Sequence, residues 1–119
     1  MTLVDTAVWI DHFRVSLPAL VRRLHDGGVI SHPFVIGELA LGHLRHRDET
    51  VALLKELPTL EVVAHDQVLH FVVRHALAGT GIGWIDAHLL CAAALADVPV
   101  WTRDRALRKQ ASRLGLLYQ

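Results

Sequence analysis

Val98-Pro99-Val100-Trp101-Thr102-Arg103-Asp104-Arg105 reads as a short apolar run that ends on a carboxylate. Such a run is too short for a helix and fits a buried strand, which would deliver Asp104 at its carboxyl end. Leu3-Val4-Asp5-Thr6 repeats the device near the N-terminus, where the strand is expected over 3–6. Further strands are expected at 29–31, 60–63 and 116–118. Between them the apolar spacing and the prolines at 18 and 33 predict helices over 8–13, 18–25, 33–41, 48–56, 67–77, 84–96 and 105–114. Strands alternating with helices imply a parallel sheet. In such sheets right-handed crossovers place ligands outside the carboxyl ends of the strands, where Asp5 and Asp104 fall.

With 119 residues, 52% of them apolar, the chain has the size and composition of one domain with a true core, 1–119, and it contains no repeat or linker. The apolar excess leaves room for a face covered by a second subunit, so an oligomer is expected. No stretch is long and apolar enough to span a bilayer. Asp5 and Asp11 interrupt any signal-peptide core, and Cys91 is the single cysteine. A cytoplasmic protein without disulfides is therefore expected. Twelve basic residues balance twelve acidic ones, which excludes a strong global nucleic-acid footprint. The basic residues nevertheless gather after the last long apolar run, with Arg103, Arg105 and Arg108 flanking Asp104 as a rim that suits a phosphate backbone or, equally, a solvated helix face.

Two more acids stand almost alone in apolar surroundings: Glu38 within residues 34–41 and Asp86 within 84–96. A buried, unpaired carboxylate is costly, so a compensating cation is expected. Taken singly, Asp5 and Asp104 read as helix caps, Asp86 as an acid favoured by a helix N-terminus, and Glu38 as a surface residue. The topology that brings all four to one sheet edge favours a shared role. Carboxylates suit Mg²⁺ or Mn²⁺, and such a site activates water and stabilises charge on a phosphodiester without a cysteine or serine nucleophile. Thr6 and Thr102 adjoin the strand-end acids, where a hydroxyl orients a carboxylate or caps a helix.

These motifs resemble a known family. Val4-Asp5-Thr6-Ala7-Val8-Trp9-Ile10, Gly37-Glu38-Leu39, Trp84-Ile85-Asp86-Ala87-His88 and Trp101-Thr102-Arg103-Asp104 are similar, in order and across the whole chain, to the four acidic motifs of PIN-domain ribonucleases, in particular VapC-type toxins of bacterial toxin–antitoxin modules. The resemblance implies a three-layer α/β/α sandwich and a Mg²⁺- or Mn²⁺-dependent endoribonuclease that cuts structured transfer or ribosomal RNA to arrest translation. Asp5, Glu38, Asp86 and Asp104 would be its metal-binding acids. It also implies a homodimer and a cognate VapB-type antitoxin. Some members of the family carry a further acid just after the last motif, a position held here by Arg105 and Ala106.

Other signals point elsewhere or nowhere. His43-x-x-His46 has no second ligand pair for zinc, and the glycines at 79, 81 and 83 match neither a dinucleotide fingerprint nor a P-loop. His88 is the histidine expected nearest the acids. Trp9, Trp84 and Trp101 are expected in the core or an interface, and Cys91 as a buried structural thiol. Two other classes of function share these residues: a small metal-dependent phosphatase, and a PIN-like scaffold without catalysis.

Overall fold

A computed structural model describes residues 1–119. Three short strands, β1 (Thr2–Val4), β2 (Val29–Ile30) and β3 (Val100–Trp101), form a parallel sheet in the order β2-β1-β3. Leu3 pairs with Ile30 on one side and Val100 on the other, and Val4 pairs with Trp101. All three β1 residues are buried, so both faces of the sheet are covered, as a parallel sheet requires.

The helices are α1 (Thr6–Arg14), α2 (Pro18–His25), α3 (Pro33–Leu41), α4 (Arg47–Glu56), α5 (His65–Arg74), α6 (Trp84–Ala96) and α7 (Arg105–Arg113). From β1 the chain moves outward through α1 and α2 to β2. It then crosses back over β1 through α3–α6 to β3. Right-handed crossovers in opposite directions put α1–α2 and the α6 that feeds β3 on opposite faces, which gives the α/β/α layering. Helix α6 is apolar all round and buries seven consecutive residues, Ala87 to Ala93, as a central element must. Leu3, Val4, Leu39, Val68, Val100 and Leu107 belong to the same core.

Two expected strands are absent. Residues 60–63 form no strand, and the pairing beside β2 is a single bridge between Ser31 and Thr59. Strand β2 ends after two residues, because His32 and Pro33 turn the chain into α3 and leave 61–63 without a partner. Residues 116–118 likewise reduce to one bridge, Leu117 with Val100, since β3 is also two residues long. Thr6, expected as the last strand residue, instead opens α1 under the Asp5 cap.

Candidate active site

Strands β1 and β3 are neighbours whose onward connections leave in opposite directions, so the crevice beyond their carboxyl ends is the topological switch point of the sheet. Asp5 follows β1 at once and is the N-cap of α1. Asp104 follows β3 by three residues and is the N-cap of α7. Asp86 lies in the first turn of α6, and Glu38 is on α3. Three helix N-termini thus converge on one edge, each aiming backbone N–H groups at a carboxylate.

Threonine hydroxyls tie the acids together. The Thr6 N–H donates to Asp5 Oδ1 at 2.8 Å, while the Thr6 hydroxyl donates to Glu38 Oε1 at 2.9 Å. On the other side the Thr102 hydroxyl donates to Asp5 Oδ2 at 2.8 Å and accepts the Asp104 N–H at 3.1 Å. Asp104 Oδ2 in turn accepts the Leu107 N–H at 2.9 Å. A continuous chain therefore runs Glu38–Thr6–Asp5–Thr102–Asp104. Asp86 stands outside it, its Oδ2 accepting the Gly83 N–H at 3.3 Å.

Burial is less uniform than the apolar surroundings of these acids suggested. Asp5 is 6% exposed and Asp86 is half-buried, whereas Glu38 and Asp104 are exposed. The expectation that Glu38 would be buried fails because α3 turns that side of the helix outward. Electrostatics nonetheless link the four. The Asp86 carboxyl is pushed above the usual aspartate value, first by burial and then, against the pull of the Gly83 N–H, by Asp5, Asp104 and Glu38. Asp86 is thus within range of repulsion from the other three, which a cation would relieve. No three Asp, Glu, His or Cys side chains form a ready-made ligand set. Each of Glu38, Asp86 and Asp104 keeps one carboxylate oxygen that accepts no protein hydrogen bond, which suits an ion such as Mg²⁺ that retains several waters.

The basic rim divides three ways. Arg103 pairs with Asp11 of α1 at 2.7 Å, an exposed bridge worth at most about 1 kcal/mol. Arg108 donates to the Thr102 carbonyl at 3.2 Å and so braces the turn that carries Thr102 and Asp104. Arg105 is exposed and engages no protein group. Nothing in the spacing of the sequence marked Asp11 as a partner, since it lies 92 residues from Arg103.

A row of rings lies beside the acids: His32 against Phe34 (5.1 Å between centroids), Phe34 against His88 (4.9 Å), His88 against Trp84 (4.8 Å), and Trp84 against His65 (5.1 Å). His88 is thus a packing residue between α3 and α6, and burial lowers its pKa. Trp9 is buried and Trp101 half-buried, but Trp84 is 39% exposed. Cys91 is 1% exposed with a thiol pushed up by burial, so it is no nucleophile. In the loop before α6, Gly81 adopts a φ of +90° that favours glycine, with Ala106 of α7 close by.

Residues 2–112 match the PIN domain family. Over 117 residues the chain is 44% identical to ribonuclease VapC32 from two strains of Mycobacterium tuberculosis, an alignment covering 98% of this chain and 94% of the relative.

Proposed function

The chain belongs to the PIN-domain family as a VapC-type ribonuclease, and from that premise we propose that Asp5, Glu38, Asp86 and Asp104 hold a divalent cation, Mg²⁺ or Mn²⁺, at the β1/β3 switch point and cut structured RNA there. The protein acts as the toxin of a VapBC-type module, an endoribonuclease. Its substrate is transfer or ribosomal RNA, its cognate inhibitor a VapB-type antitoxin, its assembly a homodimer and its compartment the cytoplasm. The observation that carries the site is the hydrogen-bonded chain Glu38–Thr6–Asp5–Thr102–Asp104 at the sheet edge, to which Asp86 is linked by the repulsion it feels from the other three acids.

Four carboxylates repel a phosphodiester unless a cation stands between them. When bound, the divalent ion supplies charge neutralisation on the phosphate and activation of water. The chain's own residues supply position. Asp5 is held by two donors, the Thr6 N–H and the Thr102 hydroxyl, so its carboxylate cannot rotate freely. Thr6 restrains Glu38 in the same way. Arg105, free of protein partners, is placed to take an RNA phosphate beside Asp104. Arg103 joins it by exchanging Asp11 for phosphate, and Arg108 holds the turn beneath them.

With a ribonuclease relative aligned over 98% of the chain, the phosphatase and scaffold readings have no observation of their own. The test is cleavage of total bacterial RNA by antitoxin-free protein in Mg²⁺ or Mn²⁺, with the ends mapped. Discrete cuts are expected, and they should vanish in EDTA and in Asp5→Asn. Cuts that persist in EDTA would remove the metal from the reaction. Cuts that persist in Asp5→Asn would remove that residue from the site.

A further inference from the structure

Beside the acid cluster the surface opens into a cleft of about 660 Å³ between α1, the end of α3 and the 42–46 loop. Glu38 forms part of its wall, so the cleft and the acid site are continuous. Arg14 and Arg45 also line it, and neither is paired with a carboxylate, the Arg103–Asp11 bridge being the only ion pair in the molecule. Ile10 and Phe13 supply an apolar wall, with Phe13 39% exposed and its ring stacked on Trp9 at 5.8 Å. The loop that closes the far side is pinned by Arg47, which donates to the Gly42 carbonyl at 3.0 Å.

Two unpaired guanidinium groups next to an acidic cluster are what a polyanion needs once it leaves that cluster. The exposed Phe13 ring in the same lining adds a stacking face. The volume lies within the range of about 300–1,000 Å³ typical of small-ligand sites, too small for a duplex and suited to nucleotides in a single strand. Resting on the nuclease reading above, we propose that this cleft is the subsite for single-stranded RNA flanking the cut on the Glu38 side. Arg14 and Arg45 hold its phosphates, and Phe13 stacks on a base. The unpaired charge of Arg14 and Arg45, on a cleft continuous with a site that cuts RNA, favours the substrate strand itself over a protein segment.

The test is equilibrium binding of a fluorescent single-stranded 2′-O-methyl oligonucleotide to the full chain in Mg²⁺ across a salt series, with cleavage of ordinary RNA read separately. Each phosphate contact on a single strand contributes about 0.7 to the slope of log affinity against log salt, or about fivefold in affinity at 0.1 M. Arg14→Gln and Arg45→Gln should each flatten the slope and weaken binding by about those amounts, and Phe13→Leu should weaken it about tenfold with the slope unchanged. Arg74→Gln, on α5 and outside the cleft, should alter neither. All four positions are exposed, and thermal melts check that each variant is folded. Wild-type slopes in both arginine variants overturn the subsite, whatever the cleavage assay shows. Flattened slopes in a protein that cuts no RNA uphold the cleft and remove the nuclease reading instead. Unchanged RNA binding with weakened binding of an acidic amphipathic peptide also overturns the proposal and assigns the cleft to a protein partner.

Discussion

Asp86 serves two ends that conflict. As an acid in the first turn of α6 it accepts the Gly83 N–H and faces the positive end of the helix, both of which favour its charge. Burial and three neighbouring carboxylates oppose that charge and prevail, since its pKa is raised. A carboxyl whose folded value exceeds its unfolded one takes up a proton more readily when folded, so it supports the fold at low pH and erodes it as pH rises through the folded value. Asp86→Asn should therefore melt higher than wild type at pH 7 in EDTA. That advantage should close below the ordinary aspartate range, where wild type is protonated in both states. Added Mg²⁺ should then raise the wild-type midpoint and leave the variant's nearly unmoved. An Asp86→Asn midpoint at or below wild type in EDTA at pH 7 would show that the crowding is not felt. The sequence made the positions of Asp5 and Asp104 legible, because a carboxylate closely following an apolar run falls at a strand end whatever the side-chain details. It did not make the burial of the acids legible. Asp5 is sealed under Thr102 and Glu38 is not, and that difference depends on how α3 is rotated against α1, which no local pattern records.

Among the elements, α3 carries Glu38 and starts on an unusual cap. Its N-cap is His32, fully buried, whose Nδ1 accepts the Phe34 N–H at 2.9 Å while Nε2 finds no partner. Histidine is not among the residues that ordinarily cap helices, so the sequence showed Pro33 as the opening and left the cap unread. Burial, helped by His88, depresses the His32 pKa to about 4. Protonation would fill the lone pair that caps the helix. A base with a depressed folded value contributes stability that is complete above its unfolded value of 6.5 and is lost as pH falls towards 4. The loss attributable to this one group approaches about 3 kcal/mol. His32→Asn keeps a capping side chain without a proton to gain. Denaturant melts between pH 7 and pH 4 should show a shallower loss of stability for the variant than for wild type, even if the variant starts lower because of the space it leaves. Parallel slopes would mean that His32 titrates normally. The strands show the opposite limit of legibility. Apolar runs at 60–63 and 116–118 look like those at 3–4 and 100–101, yet a run becomes a strand only where a neighbour offers backbone partners, and two-residue β2 and β3 offer almost none.

At the scale of the whole molecule the equal count of 12 basic and 12 acidic residues leaves no net charge to draw RNA in, so affinity must arise from local groups. The same composition, with its 52% apolar content, sends more aliphatic surface outward than the fold can cover. On α5, Leu69 and Val73 lie one turn apart and are 44% and 79% exposed, so they form a stripe on one side of that helix. A stable dimer buries about 800 Å² from each partner, roughly a ninth of the 7080 Å² that this chain exposes. That much can be supplied without enclosing the acid edge, since Val73 sits at the opposite end of α5 from His65, the residue that reaches Trp84 at the head of α6. Sedimentation velocity at micromolar concentration should accordingly give twice the 13.2 kDa of one chain, and Val73→Lys should shift the equilibrium towards monomer with the fold intact. A charged side chain at a position so exposed costs the isolated protomer almost nothing, so any change in mass reports on the interface alone. A wild-type mass of one chain at every concentration would remove the homodimer, and a dimer indifferent to Val73→Lys would place its interface away from α5.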